Sequence, residues 1–270
     1  MEVISHYRNE ETPPQSNEEH QRGVAELAEK FAAPFGMGSY GAVLGLLHDK
    51  GKEQPDFQTY IRKVSGMCPE LKVRNHPNHA YVGALIAKKY YAGMLSLLAY
   101  PIMGHHAGLY DYPDYNSILE KPIPPGVDSS PCGINLQQPH APKDKKPYDF
   151  NHIIRMLFSC LVDADFLDTE RYMKPQESLY RQGKKSLKEL KPLLDDYLSR
   201  LRTDAPQSSL NEIRNEIQDL CLGKSASAPG FYSLTVPTGG GKTLSSLVWA
   251  MNHAIRYGKA RIIIAIPYTS

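Results

Sequence analysis

Leu46-Leu47-His48-Asp49-Lys50-Gly51-Lys52 carries an apolar stretch into an adjacent imidazole and carboxylate, and then into a glycine stop. A His and an Asp side by side at a helix end can ligate one metal ion together, and Lys52 just beyond can reach a phosphate held by that ion. Working outward, the helix that delivers this pair runs from about Ser39 to Asp49 and stops at Gly51. Upstream, Ser16 followed by Glu19 has the form of a capping box. The helix it opens places His20, Val24, Leu27, Ala28 and Phe31 on one apolar face. Downstream, a third helix begins near Asn78 and carries His79, Val82, Gly83, Ile86 and Tyr90 on one stripe. A fourth starts at about Leu95, is interrupted by Pro101 and ends in Gly104-His105-His106-Ala107-Gly108. Residues 151–170 fit a buried helix that includes Asp163 and Asp165.

A single histidine on an apolar face is ordinarily a core residue with a satisfied hydrogen bond. Four helices that each point a His or Asp inward are another matter. Burying so many ionisable groups without a metal ion or a charge partner is costly. The candidate ligands are His20, His48, Asp49, His79, His105, His106 and one of Asp163 and Asp165, which lie on roughly opposite sides of their helix. His76 precedes Pro77 and reads as loop. Imidazole and carboxylate without thiolate suit Mn, Fe, Co, Ni or Zn. Seven ligands exceed what one tetrahedral ion takes, so two divalent ions bridged by a carboxylate fit better. Such ions sit about 3.5–4 Å apart and suit phosphoester hydrolysis, one activating water and the other polarising the phosphate. Asp49 is the expected bridge.

The remaining chain sets limits. With 270 residues, 41% hydrophobic and 22% charged, the composition is that of a soluble globular protein of one large or two small domains. No apolar run approaches the roughly 20 residues a bilayer span needs, and MEVISHYRNE lacks the pattern of a signal peptide. Cys68, Cys132, Cys160 and Cys221 are scattered, which reads as reduced thiols in a cytoplasmic protein. A formal charge of +2 neither requires nor bars nucleic acid. Residues 111–149, rich in proline, read as a long surface loop or partly disordered insertion. Residues 177–222 read as charged amphipathic helices, with Leu187, Leu190, Leu194, Tyr197, Leu198 and Leu201 on one stripe. No segment up to there reads as a strand. Lys143, Lys145 and Lys146, and Lys184, Lys185, Lys188 and Lys191, read as solvated charge. Tyr110, Tyr112 and Tyr115 either pack the loop or stack on unpaired bases.

At Gly230 the pattern changes to a short strand (FYSLTV), a glycine loop, a helix and a second strand (ARIIIAIP), with a domain boundary at about 222–229. In the loop, Gly239, Gly240 and Gly241 let backbone N–H groups face phosphates at a helix N-terminus. Lys242 would reach the β- and γ-phosphates of ATP, and Thr243 would ligate its Mg²⁺. Val236 stands where the usual pattern has its first glycine.

The series H…HD-x-G-K…H…HH…D resembles the HD phosphohydrolase superfamily. In detail, HDKGKEQPDFQTYI, NHAYVGAL, GHHAG and LVDADFLDTE resemble the HD nuclease domain of the CRISPR-associated nuclease–helicases of type I systems. The resemblance spans residues 20–170, with 111–149 as an unmatched insert. It implies one ion on His20, His48, Asp49 and Asp165 and a second on Asp49, His79, His105 and His106. Asp165 is selected over Asp163 because the family's last ligand is followed by a bulky residue and Leu. Asp49 and Lys52 would be catalytic, Lys52 by contacting substrate phosphate. PTGGGKT resembles the first motif of superfamily 2 helicases, and IPYTS their motif Ia, which contacts single-stranded DNA. No D-E-x-H strand or arginine finger motif follows, so the chain reads as the N-terminal part of a longer protein in which ATPase and helicase activity reside.

The expected fold is therefore mainly α: an HD-domain helical bundle over residues 1–222, followed by a partial α/β RecA-like P-loop unit over 230–270. The implied function is metal-dependent cleavage of single-stranded DNA in CRISPR antiviral interference. The longer form would be recruited by a crRNA-guided surveillance complex, with no membrane partner. The rival readings are an HD nucleotide or cyclic-nucleotide phosphohydrolase, and a non-catalytic HD module that docks a helicase to a partner.

Overall fold

The computed structural model describes residues 2–73, 76–136, 147–182 and 185–265. Residues 266–270, which make up IPYTS, lie outside the described residues, as do Lys143, Lys145, Lys146 and Lys184. Among the described residues the chain is mainly helical, and no helix is long and apolar enough to cross a membrane. It divides into two units, Met1–Gln182 and Gly183–Ser270.

The first unit begins with a short antiparallel pair, β1 (Ile4–His6) and β2 (Gln15–Ser16). Ser16 then caps α1 (Asn17–Ala32): its side chain accepts the Glu19 N–H, and the Glu19 carboxylate accepts the Ser16 N–H. The capping box is thus formed as its sequence indicated. Next come α2 (Gly38–Leu47), α3 (Pro55–Val64), α4 (Val82–Tyr90), α5 (Leu95–Gly104), α6 (Tyr112–Leu119), α7 (Pro147–Met173) and α8 (Pro175–Gln182). One apolar core joins α1, α2, α4, α5 and α7 through Val24, Val43, Leu44, Leu47, Ala84, Ala87, Leu98, Ile102, Leu157 and Leu161, all fully buried. At about 1.5–3 kcal/mol for each large side chain, this core is the main force holding the helices that carry the candidate ligands. At Gly83 a Cβ would stand 1.9 Å from the Leu47 carbonyl oxygen, so α4 approaches the end of α2 closely enough to require glycine.

Four expectations for this unit are corrected. The β1–β2 pair is present, although too short to leave an alternating pattern. The third helix starts at Val82 instead of Asn78. Pro77 disfavours helix before it, and Asn78 Oδ1 accepts the Ala80 N–H in a turn that holds His79 just ahead of α4. α5 runs through Pro101, which forfeits its bond to Leu97 without ending the helix. Finally, the segment read as a loop or partly disordered insertion over 111–149 contains a helix, α6, while 120–136 is loop and 137–146 lie outside the described residues. Pro113 in the first turn suits a helix start, and Tyr115 and Leu119, one turn apart, bury α6 against the core. Tyr115 stacks on Tyr100 with ring centroids 4.0 Å apart, so it is core, not a base platform. Val127, Cys132, Ile134 and Leu136 continue the packing.

The second unit contains α9 (Leu187–Asp204), α10 (Ser209–Lys224) and α11 (Lys242–Arg256). The first two group with α11, so the division falls at Gln182/Gly183, earlier than 222–229. The expected strands are absent among the described residues: 231–236 and 261–265 pair with nothing. Phe231, Ile263 and Ile264 stand exposed. A strand persists only where neighbours take up its backbone N–H and C=O groups, and none does here. The RecA-like expectation thus reduces to a glycine loop leading into a helix.

Candidate metal centre

Five helices of the first unit bring seven groups to a common point. His20 lies in the second turn of α1, His48 and Asp49 follow α2, His79 precedes α4, His105 and His106 follow α5, and Asp165 lies on α7. His20, His48 and Asp49 are almost completely buried, and His79 and His105 nearly so. Two sets emerge whose ligand atoms lie within 4.8 Å of one another: His20, His48, Asp49 and Asp165, and Asp49, His79, His105 and His106. These are the groupings that the resemblance implied. Asp163 is exposed on α7, whereas Asp165 Oδ1 lies 3.2 Å from His20 Nε2.

Asp49 divides its two oxygens between the sets. Oδ2 lies 3.3 Å from His20 Nε2 and 3.3 Å from His48 Nε2. Oδ1 lies 3.5 Å from His79 Nε2 and 3.5 Å from His105 Nε2. The imidazoles are oriented from behind. His48 Nδ1–H donates to the Gly45 carbonyl at 2.8 Å, and His105 Nδ1–H to the Ile102 carbonyl at 2.6 Å. His20 Nδ1–H donates to Asp168 Oδ2 at 2.8 Å. Carbonyls cannot donate, so His48 and His105 each turn Nε2 inward as the free ligand atom. His79 Nε2 and His106 Nε2 face each other at 3.0 Å, and exposed His106 carries the cluster to the surface.

Charge is concentrated here. Lys52, also buried, lies with Nζ 2.7 Å from Asp49 Oδ2 and donates to Ser5 Oγ at 2.9 Å. Burial opposes ionisation of Asp49, yet Lys52 and His48 hold its carboxyl well below the usual range. Burial would likewise depress His20, but Asp165, Asp168 and Asp49 raise it to about 10. His48 is raised to about 9 against its burial, chiefly by Asp49. The second set behaves oppositely. Burial lowers His79 to about 3, and burial with neighbouring His105 lowers His106 to about 4. Those two imidazoles are neutral at pH 7, as a metal ligand must be.

The residues fit divalent ions. Asp49 Oδ1 and His105 Nε2 are buried without an aligned hydrogen bond, whereas Asp49 Oδ2 faces the Lys52 ammonium at 2.7 Å. A divalent ion would satisfy these two buried acceptors. An imidazole–carboxylate set without sulfur matches borderline transition metals.

Reasoning from sequence missed four residues at this centre. Asp168 and Gln15 stand behind His20, with Gln15 Nε2 donating to Asp168 Oδ2 at 2.9 Å. Ser5 holds Lys52, and His6 sets its ring edge-on to His20 at 4.6 Å between centroids. Burial and Lys52 lower His6 to about 4. Asp168 was recoverable, since it lies one turn beyond Asp165 on the same helix. The β1 residues gave no signal of their own.

In the second unit, Gly239 and Gly241 take positive φ (85° and 80°), and Gly241 caps α11. Arg214 on α10 donates Nε–H and Nη2–H to the Gly239 carbonyl at 2.8 and 2.6 Å. Lys242 and Thr243 are exposed. The loop has the turn geometry of a phosphate cradle without the flanking strands.

No protein-family model matches this chain, and no curated protein matches it significantly.

Proposed function

We propose that this protein is a metal-dependent phosphodiesterase of the HD type that cleaves single-stranded DNA. We further propose that it belongs to a type I CRISPR nuclease–helicase directed by a crRNA-guided complex. The observation that carries the hydrolase reading is the divided carboxylate of Asp49, one oxygen toward each four-residue set. The DNA substrate and CRISPR context rest on the sequence resemblance and on the glycine loop that follows.

His20, His48, Asp49 and Asp165 would hold one ion, and Asp49, His79, His105 and His106 the other. Ions held there supply Lewis acidity, both to activate water and to stabilise charge on the phosphate. The protein's own contribution is orientation and charge. Asp49 ties the two sets together, while the Gly45 and Ile102 carbonyls fix two imidazoles by their Nδ1–H groups. The Lys52 ammonium, anchored by Ser5, supplies fixed positive charge beside Asp49, where a substrate phosphate accumulates negative charge.

The test offers circular single-stranded DNA, duplex DNA and dNTPs to the purified chain with Mn²⁺, Co²⁺, Ni²⁺ or Fe²⁺. Circles cut to linear strands by the wild type and left intact by Asp49→Ala are expected. Nucleotide hydrolysis without DNA cleavage would favour the nucleotide phosphohydrolase reading. Metal binding without any hydrolysis would favour the docking module.

A further inference from the structure

We propose that Asp168 is a positioning residue that aims His20 at its ion, completing a carboxylate–imidazole–metal relay. This rests on the two-ion reading of the centre. His20 is fully buried on α1 and has one ring nitrogen on each side of the site boundary. Nε2 faces inward, 3.3 Å from Asp49 Oδ2 and 3.2 Å from Asp165 Oδ1. Nδ1 faces away, and its contact is Asp168 Oδ2 at 2.8 Å. His48 and His105 use main-chain carbonyls for the same purpose. His20 alone among these three uses a charged side chain, a stronger acceptor that increases the basicity of the opposite nitrogen.

The surroundings are shaped for this carboxylate. Asp168 is only 4% exposed. A Cβ on Gly23 would stand 2.1 Å from Asp168 Oδ1, so α1 leaves a notch at Gly23, one turn beyond His20, that the carboxylate fills. Gln15 Nε2 donates to Oδ2 at 2.9 Å, so the atom that accepts from His20 is held from a second direction. Arg171 Nη1 lies 3.8 Å from Oδ1 and balances the charge from the solvent side. Asp165 and Asp168 are one turn apart on α7. A single helix therefore supplies an inner ligand to the cluster and the outer acceptor that orients another helix's ligand. Asp168 is not itself a ligand candidate, because its bonded oxygen lies on the far side of the His20 ring.

The test measures stepwise Mn²⁺ binding by titration calorimetry on the full chain. The wild type should bind two ions. Asp168→Asn keeps the shape and removes the charge, and it should weaken one ion about 10–100-fold while leaving the other unchanged. Gln15→Ala, which leaves Asp168 in place, should weaken the same ion by less. The effect must act through His20, so in a His20→Ala background Asp168→Asn should cause no further loss. A general structural defect would weaken both ions and persist in that background, and either result overturns the proposal. Wild-type affinities retained in folded Asp168→Asn would overturn it while leaving the two-ion reading intact. A wild type that binds fewer than two ions overturns both.

Discussion

The two units carry the two candidate sites, a His/Asp cluster and a glycine loop, and they are built to different standards. The His/Asp centre of the first unit is largely buried, with ligand atoms oriented by second contacts and with charge balanced by Lys52. The glycine loop of the second unit has its turn and its helix, but its Lys242 and Thr243 project into solvent. The distinction follows from what each motif requires. A helical metal centre is assembled from inward faces that the core already holds together. A phosphate loop is held between strands of a sheet, and 231–236 and 261–265 have no strand partners among the described residues. In the second unit α9 buries no residue, and Leu193 and Tyr197 are exposed on it. The first unit is expected to act by itself; the second carries a motif without its frame.

This contrast can be broken or sharpened by experiment. The largest effect, after loss of Asp49 itself, is expected at Lys52. Removing a fixed charge aimed at a reacting phosphate typically costs about 10²–10³-fold in rate, so Lys52→Ala should cut DNA cleavage by that factor with metal still bound. An unchanged rate would reduce Lys52 to a structural partner of Asp49. Packing comes next. Gly83→Ala forces a methyl onto the Leu47 carbonyl beside His48 and should cost about 1–3 kcal/mol or more in chemical denaturation. Gly223→Ala, near the end of α10, meets nothing within 4 Å and should be neutral or slightly stabilising. Equal costs for the two would erase the difference in packing.

A smaller effect concerns pH. In chelator-treated protein His20 and His48 have pKa values raised to about 10 and about 9. Their protonated forms therefore stabilise the fold fully below about pH 6.5, the unfolded value, and that contribution is lost as pH rises through 9 and 10. Stability of the metal-free protein should fall steadily from pH 7 to 10. Metal affinity should instead rise across that range as protons leave His20 and His48. A flat stability profile would mean that the carboxylates do not hold protons on these imidazoles. The smallest effect is at Lys242. Its replacement by Ala should leave DNA cleavage unaltered, and lost cleavage would join the glycine loop to the reaction.

The same contrast governs what could be read in the sequence. The Ser16–Glu19 box, the His48-Asp49 pair before Gly51 and the His105-His106 pair were all legible, because local caps and adjacent polar residues in apolar runs need no tertiary information. Asp165 was selected only through the family resemblance; the geometry then set Asp163 in solvent. What escaped was non-local. α6 was masked by the prolines around it, although Tyr115 and Leu119 kept helical spacing. β1 is too short to alternate, so the contacts of Ser5 and His6 could not be anticipated. Asp168 binds a ring that is distant in sequence. The opposite error occurred at FYSLTV and in the described part of ARIIIAIP, where β-prone residues were read as strands: propensity marks what can pair, whereas pairing needs a neighbour.

The central claim is a pair of ions flanking one shared carboxylate, and anomalous diffraction from Mn²⁺-loaded crystals tests it most directly. Two peaks about 3.5–4 Å apart are expected, one between Asp49 and the His20–His48–Asp165 group, the other between Asp49 and the His79–His105–His106 group. A single peak, or peaks away from Asp49, would contradict it.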